Sequence, residues 1–306
     1  MKIEFRIPVS PDKSFYSQLR LFALSLAKLG EPYSTARIVV CVGNSAQYDA
    51  VVEQNSWAKD FPVEWSVASP EFCEEFNMMS SGLWRYSFPS DADVIILCDA
   101  DTCVINRFDG LLAQMVRTSS AVAGVQAHYS PFPNGSNESS WKRALAAIGQ
   151  DDFMLQHGYS MEAKPCSELS PPYFNYGFVL FNREAFKSLS SIMQESLSTA
   201  MSTFPENVFA AQIALSLAII KKNVFAIMLG HEYNCANDDS IVNGNFVDIL
   251  CIRVIHYLRT NEFDRHNFLC DKEKFNEFIN TNKRNVISAR LRIHVESIKD
   301  CYIDWD

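Results

Sequence analysis

The sequence predicts an α/β protein with a largely parallel sheet, and three observations carry that prediction. Apolar runs rich in β-branched residues recur at 3–9, 37–43, 63–68 and 94–98. Helical patterns separate them, and strands alternating with helices are the signature of parallel βαβ units. The fourth run, Val94-Ile95-Ile96-Leu97-Cys98, passes directly into Asp99-Ala100-Asp101. A strand this apolar suits the middle of a sheet covered on both faces, and its carboxyl end is where open α/β sheets place ligands.

Each element follows from local chemistry. Residues 3–9 stop at Ser10-Pro11-Asp12, and 14–29 then carry Leu19, Phe22, Leu26 and Leu29 at helical spacing until Gly30-Glu31-Pro32 ends the helix. Strand 37–43 is bounded by Asn44. A helical piece over 46–54 leads to strand 63–68, and a mostly helical approach through Leu83-Trp84-Arg85-Tyr86 leads to Val94. A helix over 110–118 and a strand over 121–125 follow. From 128 to 172 the chain is irregular and rich in Ser, Pro, Asn and Gly, with one helical stretch near 141–148. An excursion of this length is a functional lid or a disordered insert, and its Tyr129, Phe132, Trp141, Phe153 and Tyr159 favour an ordered wall. Strand 173–181, a helix from Arg183 through the Ser190s, a very apolar helix over 206–220, and strands 224–229 and 250–256 complete the sheet region. Residues 271–306 read as amphipathic helix docked on the sheet, with peripheral membrane contact the lesser alternative.

Composition narrows the function. With 306 residues and 48% apolar content the chain buries a sizeable core. A net charge of −9 argues against a general nucleic-acid binder. No stretch reaches the roughly 18 apolar residues of a membrane span. Met1-Lys2-Ile3-Glu4-Phe5 lacks the features of a secretory signal. Nine scattered cysteines without a Cys-x-x-Cys pair fit reduced thiols, so the expectation is cytoplasmic. Asn134-Gly135-Ser136 and Asn137-Glu138-Ser139 are then chance glycosylation patterns.

Asp99 and Asp101 point to the same side of an extended chain, so both carboxylates can face one hard divalent cation; the plainer reading is a solvated Asp-rich turn. Two later patterns join them: Phe174-Asn175-Tyr176-Gly177-Phe178-Val179-Leu180-Phe181-Asn182 and Val254-Ile255-His256-Tyr257. In this order and spacing the three resemble the glycogenin-like retaining glycosyltransferases (family 8-like), over most of 2–265 and more loosely across 128–172. The resemblance implies the A-type glycosyltransferase fold, an α/β fold with a central mixed, mostly parallel sheet flanked by helices. One such domain would span 1–306, with a nucleotide-binding half (1–105), an acceptor and sugar half (106–265) and a helical extension (266–306).

What the resemblance implies is specific. Asp99, Asp101 and His256 match the metal ligands, and an imidazole beside two carboxylates tilts preference to Mn²⁺ over Mg²⁺. By itself His256 reads as a core histidine. Arg85 stands where the family carries a basic residue near the donor phosphates, or is a surface charge beside Trp84. Asn175 matches the residue that bonds donor-sugar hydroxyls, and Gly177 allows close backbone approach. Gln212 matches the glutamine beside the anomeric carbon, or is a structural hydrogen bonder in an apolar helix. Ile7, Pro8, Val9 and Tyr16 (or Phe15) match the place of the nucleotide base, with Ala100 against the nucleotide. The partners implied are a nucleoside-diphosphate sugar, a UDP-sugar first, and an acceptor glycan, protein or small molecule.

Departures from the family pattern accompany these matches. Ala211 and Pro172 stand where the family has sugar-binding carboxylates, leaving Asp151 or Asp152 to replace them or a different sugar to be used. Arg259 and Glu262 replace the family's Gly and Lys, making Arg259 and Arg265 the candidates for phosphate charge. Two rivals remain on the sequence. A haloacid-dehalogenase-like phosphatase also places Asp-x-Asp after an apolar strand, with Asp238-Asp239 as distal ligands, but Thr102-Cys103 stands where its Gly-Thr belongs. An inactive nucleotide-sugar binder is suggested by Ala211 and Pro172.

Overall fold

A computed structural model describes residues 1–43, 47–76, 79–161 and 167–302, leaving aside the side chains of Ser80 and Tyr302. Asn44 and Ala46, the expected strand boundary and helix start, lie outside the described residues, as do Cys166 and the last residues of the expected C-terminal helix.

The N-terminal third alternates as expected. Strand β1 (Ile3–Val9) leads to helix α1 (Lys13–Leu29), whose Asp12 side chain accepts a hydrogen bond from the Ser14 backbone N–H at 2.8 Å, a cap worth about 1 kcal/mol. Gly30 ends it at φ +68°. Then come β2 (Arg37–Val42), α2 (Tyr48–Gln54), β3 (Val63–Val67), α3 (Pro70–Phe76), α4 (Ser80–Trp84) and β4 (Val94–Cys98). All four strands run parallel in the spatial order β3-β2-β1-β4.

The chain continues through β5 (Thr102–Val104), α5 (Asp109–Arg117), β6 (Ala121–Gln126), α6 (Asn137–Ala146), the two-residue pair β7 (His157–Gly158) and β8 (Leu169–Ser170), and β9 (Phe174–Asn182). Helices α7 (Arg183–Ser190), α8 (Met193–Thr203) and α9 (Ala210–Lys221), strands β10 (Phe225–Leu229) and β11 (Cys235–Ala236), helix α10 (Asp239–Asn243), strand β12 (Val254–His256) and helices α11 (Lys272–Asn280) and α12 (Val286–Glu296) follow. The apolar helix expected from residue 206 begins at Ala210 instead, because Glu206 after Pro205 takes φ +69°, outside the helical region. The expected strand 250–256 is shorter, its first residues forming a turn of 3₁₀-helix at Ile249–Cys251.

The main sheet has the order β10-β6-β9-β4-β1-β2-β3 and is mixed. Strand β9 pairs antiparallel with both β4 and β6, whereas β10 is parallel to β6. The excursion explains the reversal. Strand β6 ends at the carboxyl edge, the irregular segment stays there, and β9 therefore enters from that edge. The amino end of β9 thus meets the carboxyl ends of the other strands.

Strand alternation divides the core. Ile95, Leu97, Val122, Val179 and Phe181 pack under α7, α8 and α9, while Val94, Ile96, Ala121, Ala123, Phe178 and Leu180 face α1 and α5. Residues 94–98 are all 0% exposed, as a central strand covered on both faces requires. A third cluster joins Phe275, Phe278, Ile287, Leu291 and Val295 to Leu21, Leu24 and Ile255. The C-terminal apolar faces are thus spent on α1 and on a small second sheet, β11-β12-β5, rather than on the main sheet. Among the described residues no helix is long and apolar enough to cross a membrane.

One feature of β1 positions the site. Arg6 is fully buried, paired with Glu4 at 2.5 Å, and donates to the carbonyls of Arg85 (2.6 Å), Phe88 (2.9 Å) and Pro89 (3.1 Å). A buried guanidinium needs this many acceptors, and in meeting that need it fastens 85–89 to the sheet.

Candidate active site

The small sheet closes the distance between Asp101 and His256. Strand β12 runs antiparallel to β5 with Val254, Ile255 and His256 opposite Val104, Cys103 and Thr102, and the Tyr257 N–H donates to the Asp101 carbonyl at 3.0 Å. This register sets His256 beside the turn that leaves β4. Its Nε2 lies 3.1 Å from Asp101 Oδ1 and 4.0 Å from Asp99 Oδ2. One ligand atom from each of Asp99, Asp101 and His256 lies within 4.8 Å of the others.

The imidazole is oriented from behind. Asn234 Nδ2 donates to Asn175 Oδ1 (2.9 Å), so Asn234 presents Oδ1 to His256 Nδ1 (3.1 Å). Nδ1 therefore carries the proton, and Nε2 turns a lone pair toward two carboxylates. That arrangement is repulsive unless a proton or a cation lies between them, and it is the donor set of a hard-to-borderline divalent ion. The residues present fit such an ion. Gly177 makes room for the ring: a Cβ there would sit 2.3 Å from His256 Nδ1 and 2.7 Å from Asn234 Oδ1. The close approach expected at Gly177 is thus made by His256.

No family model and no curated protein sequence matches the chain. Solved structures do. Mouse xyloside xylosyltransferase 1, in its apo form, superposes with TM-score 0.51 at 11% identity, covering 84% of this chain and 97% of that one. The galactosyltransferase LgtC, in complex with donor and acceptor sugar analogs, gives 0.50 at 16% identity, with 90% and 94% covered. GlyE of Streptococcus pneumoniae TIGR4 gives 0.52 at 12% identity over 95% of this chain and 63% of its own. This is the A-type glycosyltransferase fold.

Within that A-type fold, charges of both signs converge on the Asp-x-Asp turn. Arg85, with a side chain 2% exposed, donates to the Cys98 carbonyl (3.3 Å) and approaches Asp99 Oδ1 at 3.9 Å. The alternative of a surface charge is excluded by that burial. Arg265 donates from Nη1 to Asp101 Oδ2, and its Nε is buried without a partner among the described residues. Burial pushes the Asp101 carboxyl upward, but His256 and Arg265 outweigh it and hold the group below its ordinary value. Burial opposes a proton on His256, yet Asp101 and Asp99 outweigh it and raise its pKa. Asp99 is raised by desolvation, which Arg85 and His256 only partly offset.

The other expected residues are placed as follows. Asn175 lies at the amino end of β9, with Oδ1 turned inward to the Gly177 N–H (2.9 Å) and Asn234. Tyr176 has its ring under Arg85, 5.1 Å from the guanidinium, and its hydroxyl donates to the Ala211 carbonyl at 2.7 Å. It thereby ties the first turn of α9, and with it Gln212, to Arg85. Ile7, Val9 and Ala100 are buried and Pro8 half-buried. Tyr16 packs edge-on to Trp65 at 5.8 Å, its hydroxyl buried and unpaired among the described residues.

Arg259 is paired with Asp238 at 2.8 Å rather than with the triad. Asp238 also caps α10 through Ser240, and Asp239 accepts from Asn285 at 2.7 Å. The acidic pair that the phosphatase reading needs as distal ligands is therefore engaged in structural bonds. Asp151 and Asp152 are exposed on the turn after α6. Asn234 carried no signal in the sequence, because its role depends on contacts with residues 59 and 22 positions away.

Proposed function

We propose that this protein is a metal-dependent glycosyltransferase that moves a sugar from a nucleoside-diphosphate donor, a UDP-sugar first, to an acceptor hydroxyl with retention of anomeric configuration. The observation that carries the proposal is the Asp99, Asp101 and His256 cluster with Nε2 aimed by Asn234. Asp99, Asp101 and His256 would hold Mn²⁺, or Mg²⁺, which when bound neutralises charge on a departing diphosphate. Arg85 and Arg265 add fixed positive charge beside it, which favours the nucleoside diphosphate as it leaves. In this reading the base lies over the carboxyl end of β1, at half-buried Pro8, with Ile7, Val9 and Tyr16 packed behind as its support, the nucleotide passes the Ala100 backbone, and Arg259 stands at the rim.

Gln212 faces the reacting carbon in this reading and Asn175 orients the sugar from the amino end of β9. A neighbour supports the glutamine: an LgtC active-site mutant changes a glutamine to glutamate, in a structure with TM-score 0.50 and 15% identity. A same-face displacement needs positioning and electrostatics rather than a covalent nucleophile.

Thermal denaturation with UDP, Mn²⁺ and both together tests the proposal. A ligand at about 100 times its Kd stabilises the native state by roughly 2.7 kcal/mol, so the pair should raise Tm where neither does alone. Asp101→Asn should abolish that shift and sugar transfer. Transfer unimpaired in Asp101→Asn, or no metal-dependent nucleotide binding by the wild type, refutes it.

A further inference from the structure

A second polar cluster lies at the same edge of the sheet. Strands β6 and β10 are parallel neighbours with Val125 opposite Leu229, and each releases a histidine just past its carboxyl end, His128 and His231. Their ring centroids are 5.6 Å apart. The irregular segment closes over them: the Ser160 N–H donates to the Ala127 carbonyl (3.0 Å), and His231 Nε2 lies 3.1 Å from the Ser160 carbonyl. His128 and His231 are 9% and 6% exposed.

Three buried polar atoms in this one cluster have no partner among the described residues: His128 Nε2, His231 Nδ1 and Ser160 Oγ. An unmet buried donor or acceptor costs about 1–3 kcal/mol, so folded chains rarely gather several together unless something else satisfies them. We infer that His128, His231 and Ser160 form a subsite for the hydroxyl groups of a neutral sugar, beside the metal centre. The inference rests on the glycosyltransferase reading of that centre.

The chemistry of the groups selects the ligand class. Burial pushes the His128 imidazole down to about 4, and the charges of His231, His256 and Arg259 act in the same direction. Burial lowers His231 as well. A neutral imidazole offers one donor and one acceptor, and so does a serine hydroxyl. These match sugar hydroxyls, which also donate and accept. An anionic phosphate or carboxylate would instead call for protonated imidazoles. The cluster adjoins the triad through the backbone: the Asn234 N–H donates to the His231 carbonyl (3.1 Å), and Asn234 is the residue that orients His256.

Sugar hydroxyls reach this place from the donor or from the acceptor, and calorimetry on the full chain with Mn²⁺ separates the two. The probes are UDP, UDP-glucose, UDP-galactose and UDP-xylose, and then the methyl glycosides of the same sugars titrated into the complex with UDP. The variants are His128→Phe, His231→Phe and Ser160→Ala, with His128→Gln retaining a polar nitrogen near the position of Nε2. If the donor sugar is bound, the preferred UDP-sugar weakens about tenfold in His128→Phe and His231→Phe while UDP is unchanged, and His128→Gln recovers most of the loss. If the acceptor is bound, UDP-sugars are unchanged and the methyl glycoside weakens by a similar factor.

Equal losses for UDP and UDP-sugars would mean that the variants act through the fold, and would overturn the inference. So would unchanged affinities in both arms, which would mean that buried water satisfies the cluster. A wild-type chain that binds no UDP with Mn²⁺ fails at the glycosyltransferase reading itself and takes the subsite with it.

Discussion

Replacing Gly177 with alanine isolates the geometry of the metal centre from its chemistry. Gly177 sits in strand β9 with extended backbone, so an alanine is conformationally acceptable and the perturbation is steric. The added methyl would stand 2.3 Å from His256 Nδ1, 2.5 Å from Cε1 and 2.7 Å from Asn234 Oδ1. To regain an ordinary 3.4 Å contact the ring must retreat by about 1.1 Å from the present 2.3 Å. It is poorly placed to do so, being 7% exposed on a strand whose next residue is hydrogen-bonded to Asp101. Overpacking of this kind costs about 1–3 kcal/mol, and metal ligands tolerate displacements of only about 0.2 Å. Loss of the orienting bond from Asn234 compounds the misplacement, so Mn²⁺ affinity should fall by about 10–100-fold. The assay is Mn²⁺ titration followed by the electron paramagnetic resonance of free ion, with Tm measured alongside. Gly110→Ala is the control, since nothing lies within 4 Å of its added Cβ, and it should bind Mn²⁺ as the wild type does. Wild-type affinity and Tm in Gly177→Ala would refute the reasoning.

Two further outcomes follow from the same contacts. Asn234→Leu removes the acceptor for His256 Nδ1 and should weaken Mn²⁺ binding about 10–100-fold; wild-type affinity in that variant would show that Nδ1 needs no acceptor. Acid should destabilise the fold between pH 6.5 and about 4, because His128 and His294 are each held down to about 4. Above pH 6.5 both states hold these rings neutral; below it the unfolded chain takes up protons that the folded chain refuses, at about 1.4 kcal/mol per pH unit per ring, or about 3 kcal/mol each over the window. His157 and His231 are lowered too and add to the loss, while His256, raised by Asp101, offsets part of it. Urea denaturation at pH 7, 5.5 and 4.5 measures the slope, and a flat profile contradicts it.

Much of the fold was legible along the chain because the strands that matter most are continuous apolar runs. Residues 94–98 had to be a central strand, and Asp99 and Asp101 had to leave its carboxyl edge together. The direction of β9 was not legible, since an apolar run carries no polarity; the excursion before it decides which edge it enters from. The break between α7 and α8 was also hidden, as both carry helical spacing. Nor was the place of Tyr176 legible: its ring lies under Arg85 and its hydroxyl holds the start of α9.

The sequence by itself determined the alternation of strands and helices and the acidic turn after β4, while His256 joined Asp99 and Asp101 as a candidate ligand only through the family resemblance. Periodicity and residue chemistry are properties of neighbours along a chain, and they survive without coordinates. The tertiary structure alone decided that His256 lies 3.1 Å from Asp101, that Asn234 selects its tautomer and that Gly177 makes room for its ring. It also gathered His128, His231 and Ser160, which nothing in the sequence connects. Those facts depend on how segments from 22 to 155 residues apart are brought together, which is set by packing and strand register across the whole fold rather than by any local pattern.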